Sequence, residues 1–113
     1  MKSIPENLIK MVDDSGITFK NTIDDTHTTI MATVINKHPD NPTMYFHLSI
    51  TKSTYFSEVV IQMSQTVFVH TTTHSGEKHC MTFNSEIFLD GDTVEKRLMN
   101  GIKYFKQMAE NFC

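Results

Sequence analysis

Between residues 43 and 85 the chain alternates apolar and polar side chains with a phase that survives three expected reversals of direction, a two-residue period that no helix sustains. Met44, Phe46, Leu48 and Ile50 share one side of an extended strand, and Tyr45, His47 and Ser49 share the other. A tight turn over Lys52 and Ser53 sets Ile50 opposite Tyr55, Leu48 opposite Ser57, Phe46 opposite Val59 and Met44 opposite Ile61. The inner positions of the next strand are then Tyr55, Val59, Ile61 and Met63. A second turn at Ser64 and Gln65 sets Ile61 opposite Phe68 and Val59 opposite His70. A third, over Gly76 and Glu77, sets His70 opposite Phe83 and Thr72 opposite Met81. A slip of one residue turns a strand inside out, so agreement of phase across these hairpins defines an expected antiparallel register.

The flanks supply a cover for that sheet. Ser3 followed three residues later by Glu6, with Pro5 between them, is a capping-box signature for a short helix. Leu8, Ile9, Met11 and Val12 form its apolar side, and Asp13, Asp14, Ser15 and Gly16 end it. Ile17, Phe19 and Ile23 then alternate with polar residues as a first strand. A reversal over residues 24–27 places Phe19 opposite Ala32 and Ile17 opposite Val34, giving Ile30, Ala32 and Val34 as the core face of the second strand. Residues 37–42, with two prolines, read as a loop.

After a sixth strand near residues 78–87, Asp92 and Glu95 have the spacing of a helix start. Leu98, Ile102, Phe105, Ala109 and Phe112 then recur at steps of three and four, an amphipathic helix about 30 Å long with Gly101 as a point of close approach. The expected fold is α+β, a single domain over residues 1–113. It comprises a short N-terminal helix, a six-stranded, mainly antiparallel meander sheet and a long C-terminal helix, with both helices packed on one face of the sheet.

Composition narrows the classes of function. Ten Lys and Arg against thirteen Asp and Glu leave a net charge of -3, no basis for neutralising a nucleic-acid backbone. No apolar run approaches the ~20 residues of a membrane span, and Pro5, Glu6 and Asn7 interrupt any secretory leader. Neither nucleic acid nor membrane is an expected partner. Nothing obliges Cys80 to pair with Cys113, which fits a reduced, cytoplasmic setting.

The same register assigns Met31, Thr33 and Ile35, then Tyr45, His47 and Ser49, then Glu58, Val60 and Gln62, then Val67, Val69 and Thr71 to the face away from the helices. Ile35, Tyr45, Val60 and Val69 make an apolar strip across it, with Tyr45 opposite Val60, Val60 opposite Val69 and His47 opposite Glu58. An apolar strip with a polar rim on an open sheet marks an interaction surface. Ile35, Tyr45, His47, Glu58, Val60 and Val69 are therefore the expected protein-binding residues, and a second copy of the chain, forming a homodimer, is the simplest partner. Two plainer readings compete. Valine and tyrosine favour strands even where water reaches them, and a curled sheet buries such a strip within itself.

Catalytic signatures are missing, with no glycine-rich phosphate loop, nucleophile elbow, Cys-x-x-Cys or His-Glu-x-x-His. The expected function is non-enzymatic protein binding, as an adaptor, inhibitor, chaperone or regulator, without a cofactor. The alternative is a small-molecule binder or enzyme with a pocket between sheet and helices lined by Tyr55, His70, Thr72 and Met81. There His70 lies on the core face as a base and Tyr55 is a donor. A core histidine satisfied by a neighbour is the plainer account. His74 and His79 face each other across the third turn, but two histidines fall short of the three or four ligands zinc requires, so no metal is expected.

Overall fold

The computed structural model describes residues 4–36 and 43–112. The expected cap at Ser3, the loop over residues 37–42, the side chain of Phe112 and Cys113 lie outside the described residues. Helix α1 (Glu6–Asp14) starts at Pro5, whose carbonyl accepts from the amides of Leu8 and Ile9 at 3.1 and 3.2 Å. Proline suits this position because its fixed φ fits a helix start and its missing N–H is not needed there. At the other end the Ser15 hydroxyl donates to the Val12 carbonyl at 2.6 Å, and Gly16 takes φ +76°, turning the chain toward the sheet.

Strands β1 (Lys20–Ile23), β2 (His27–Asn36), β3 (Thr43–Ser53), β4 (Val59–Thr72) and β5 (Lys78–Ile87) form one antiparallel sheet in the order β1-β2-β3-β4-β5. The first hairpin has the expected register, Lys20 facing Met31 and the Asp24 amide donating to the His27 carbonyl at 3.0 Å. The Asp24 carboxylate accepts from the amides of Thr26 and His27, and these bonds hold it below the usual carboxylate range.

The sheet has five strands, not six. β4 runs unbroken through Ser64 and Gln65, where a turn was expected. That dipeptide has none of the Gly, Pro, Asn or Asp that reversals favour, and Val67 and Val69 carry on the odd phase of Val59, Ile61 and Met63. Val67 and Val69 accordingly share the helix side with those residues, and Phe68, His70 and Thr72 share the open side, the reverse of the expected assignment.

The preceding reversal also moves. It falls in residues 54–58, so that Ile50 faces Ile61 rather than Tyr55 and Leu48 faces Met63 rather than Ser57, six positions further along β4. Lys52 explains the difference: it stays in β3 opposite Val59, is 5% exposed, and its ammonium donates to the carbonyls of Ser53 and Phe56, binding the loop over itself. Because the shift is even, the inward faces of β3 and of the start of β4 are unchanged. The last hairpin closes over three residues. The Thr73 amide donates to the Glu77 carbonyl at 2.9 Å, the Gly76 amide to the Thr73 carbonyl at 3.0 Å, and Gly76 has φ +87°.

Helix α2 (Val94–Phe112) begins at Thr93, whose hydroxyl accepts from the Lys96 amide at 3.2 Å; Asp92, the expected cap, pairs instead with the Lys96 ammonium at 3.0 Å. Both helices lie on the same side of the sheet. Ile4, Leu8 and Val12 pack with Ile30, Ile50 and Leu98, and Leu89 and Phe105 pack with Ala32, Leu48 and Met63. α2 rests on the middle strand at Gly101, where a Cβ would stand 2.8 Å from Leu48 Cδ1. Among the described elements only β4 runs alongside β5, which is exposed along all its residues but Ile87, and Ile87 packs at the margin of the core cluster of Met63, Leu89 and Phe105. No helix of the described residues is long and apolar enough to cross a membrane.

Candidate functional site

The uncovered face of the sheet is built by odd residues of β2 and β3 and even residues of β4 and β5. One row across it reads Ile35, Tyr45, Thr66, Asn84; the next reads Thr33, His47, Ser64, Glu86. Tyr45 and His47, two apart on β3, stack with ring centroids 6.2 Å apart and planes 5° from parallel. The Tyr45 ring also meets Phe68 of β4 edge to face, at 5.3 Å and 80°. Diagonal neighbours across an antiparallel pair are within reach of aromatic side chains, and edge-to-face geometry suits the ring quadrupoles. Tyr45, His47, Thr66 and Phe68 line a shallow depression in mid-sheet, flanked by the exposed Ile35 and Met31.

The centre of this face is uncharged. Burial lowers the His47 imidazole below its ordinary value, favouring the neutral ring at neutral pH, and His47 Nδ1 lies 2.9 Å from the Thr33 hydroxyl. The Thr66 hydroxyl donates to the Asn84 side-chain carbonyl at 2.8 Å. Formal charges appear at the edges, Lys20 on β1 and Lys78 and Glu86 on β5.

Of the six residues expected to bind protein, the structure brings Ile35, Tyr45 and His47 together. Val60 shares their face but lies opposite Thr51, about 20 Å along the strand from the row of Tyr45. Val69 is on the helix side, opposite Met81. Glu58 is not opposite His47, whose neighbour is Ser64; it is in the loop before β4, lining a groove with Pro5, Leu8 and Arg97. The displaced reversals account for all three.

The four residues of the alternative pocket do not meet. His70 and Thr72 are exposed on the open face opposite Cys80 and Lys78, Met81 is on the other face, and Tyr55 is 76% exposed in the loop at the opposite end of β4. His79 faces Thr71 rather than His74, and among the described residues no three His, Cys, Asp or Glu side chains are grouped to hold a metal. Sequence reasoning missed Phe68, which it placed in the core; the odd-phase Val67 and Val69 on either side of it were the available signal. No protein-family model, curated protein or solved structure matches the chain.

Proposed function

We propose that this chain is a protein-binding domain, and more particularly that it acts by holding another protein against the open face of its sheet, with Tyr45 and Phe68 as the anchors. The observation that carries the proposal is the edge-to-face Tyr45–Phe68 pair with its stacked His47, set at the centre of a face that neither helix covers. Rigid aromatic side chains on a strand bring large contact area at little cost in conformational entropy, and uncharged centres with polar rims are the usual anatomy of such contacts. Ile35 and Met31 extend the apolar area on one side, and Thr66 and Asn84 offer hydrogen bonds on the other. The partner segment that fits is one with an apolar or aromatic side chain flanked by polar groups. No catalytic step is assigned to the chain.

A photoreactive amino acid placed at Thr66, in the middle of the patch, tests the proposal in extract of the native host. A discrete protein adduct should form there and disappear when Tyr45→Glu is added. The same probe at Lys103, on the exposed side of α2, should give none. Equal labelling from both positions, or an adduct indifferent to Tyr45→Glu, refutes the assignment.

A further inference from the structure

The sheet ends on one side in a ten-residue strand, β5, whose outer edge nothing among the described residues covers. The opposite edge, β1, is four residues long, a common way of making an edge harmless. Of the usual protections β5 has only a charged side chain near each end, Lys78 and Glu86. Its sequence, KHCMTFNSEI, contains no proline or glycine, and its ladder with β4 runs without a bulge. In antiparallel ladders hydrogen-bonded and non-hydrogen-bonded pairs alternate. Thr73 donates to Glu77, so the odd residues of β5 turn their backbone groups toward β4. The amides and carbonyls of Lys78, Cys80, Thr82, Asn84 and Glu86 therefore point to the free edge.

We infer that β5 is a self-association strand, pairing antiparallel with β5 of a second copy about a two-fold axis at Thr82. This surface is distinct from the open face and does not depend on it. The residues are self-complementary in that register. Lys78 falls opposite Glu86 of the second copy at both ends, Cys80 opposite Asn84, and Thr82 opposite its own equivalent. All of these are even residues, whose backbone groups are free to bond across the axis. Neither Lys78 nor Glu86 has an ion-pair partner within the chain among the described residues.

On the helix side Met81 falls opposite Phe83 of the second copy, a non-hydrogen-bonded pair where side chains approach most closely. These two residues are 49% and 52% exposed in the single chain, beside Val67 and Val69 of β4. Pairing joins them into rows of four apolar residues, Val67 and Phe83 of one copy followed by Met81 and Val69 of the other. The axis stands perpendicular to the sheet, so the product is a continuous ten-stranded sheet with the helices of both copies on one side.

Size-exclusion chromatography with light scattering on the full chain at about 100 µM, where even a modest interface is populated, should give twice the 13.0 kDa chain mass. Lys78→Glu or Glu86→Lys alone brings like charges together at both ends and should weaken the dimer about tenfold or more. An equimolar mixture of the two variants restores opposite charges at both ends and should recover it. Thr82→Pro removes a donor that faces solvent in the single chain, a position where an edge strand tolerates proline, and should give a monomer of unchanged circular dichroism. Tyr45→Glu should leave the dimer intact, and partner capture by the open face should persist in the Thr82→Pro chain. A monomeric wild-type protein, a dimer that survives Thr82→Pro, or a mixture no better associated than its components overturns the inference.

Discussion

Replacing Gly101 by alanine sets two effects of opposite sign against each other. In the interior of α2, alanine is favoured over glycine by about 1 kcal/mol. The added Cβ would stand 2.8 Å from Leu48 Cδ1 and 3.2 Å from Leu89 Cδ1, where ordinary contact begins at 3.4 Å. Leu48 cannot swing clear, because it is 0% exposed on the middle strand between Ala32 and Met63. Overpacking of this kind costs about 1–3 kcal/mol. The net expectation is a loss of about 0–2 kcal/mol at a position where propensity alone promises a gain. Urea denaturation of four chains, the wild type, Gly101→Ala, Leu48→Ala and the double variant, separates the two effects. Without the obstructing methyls, Gly101→Ala should become stabilising by up to about 1 kcal/mol, so the cycle should show a coupling of about 1–3 kcal/mol. Full stabilisation by Gly101→Ala in the wild-type background, with no coupling to Leu48, would refute the seating of α2 on the sheet.

Two further outcomes follow from the core and the open face. Phe105→Ala should cost about 3–5 kcal/mol in the same denaturation assay, since its ring packs with Ala32, Leu48 and Met63; a near-neutral result would mean that α2 presents another side. The His47 imidazole is held below its ordinary value of 6.5 by burial, so the folded chain binds its proton less readily than the unfolded one. Its contribution is present above pH 6.5 and is lost as pH falls through the depressed folded value. Stability should thus decline as pH falls from 7 through and below 6.5, and His47→Gln should flatten that decline. An unchanged slope would count against burial of the ring.

What could be read from the residues divides along a physical line. Alternation specifies which side of a strand faces inward, and this survives any displacement by an even number of residues. That is why Ile30, Ala32, Phe46, Leu48, Ile50 and Met63 were legible as core while the β3–β4 pairing was six positions off. The turn and register of the first hairpin were legible because Asp24 builds its turn from bonds to residues at most three away, but β1 starts only at Lys20, so the expected pairs of Ile17 with Val34 and Phe19 with Ala32 lie outside the ladder. The 54–58 loop depends on the Lys52 ammonium reaching two backbone carbonyls, for which alternation has no signal. In the candidate site, Ile35, Tyr45 and His47 could be assigned because β2 and β3 keep their phase throughout. Phe68 could not, because its own hydrophobicity suggested a phase change that the valines beside it do not make.

The unbroken run of β4 has a consequence for how the molecule breathes. Its first residues lie under the helices, with Met63 wholly enclosed, while residues 69–72 continue past the first described residue of β3, and among the described strands β5 alone pairs with them. Amide protons at the enclosed end should exchange with solvent only when the domain opens as a whole. Those toward Thr72 should exchange through local fraying, so that a single ribbon of backbone carries a graded resistance to exchange from one end to the other.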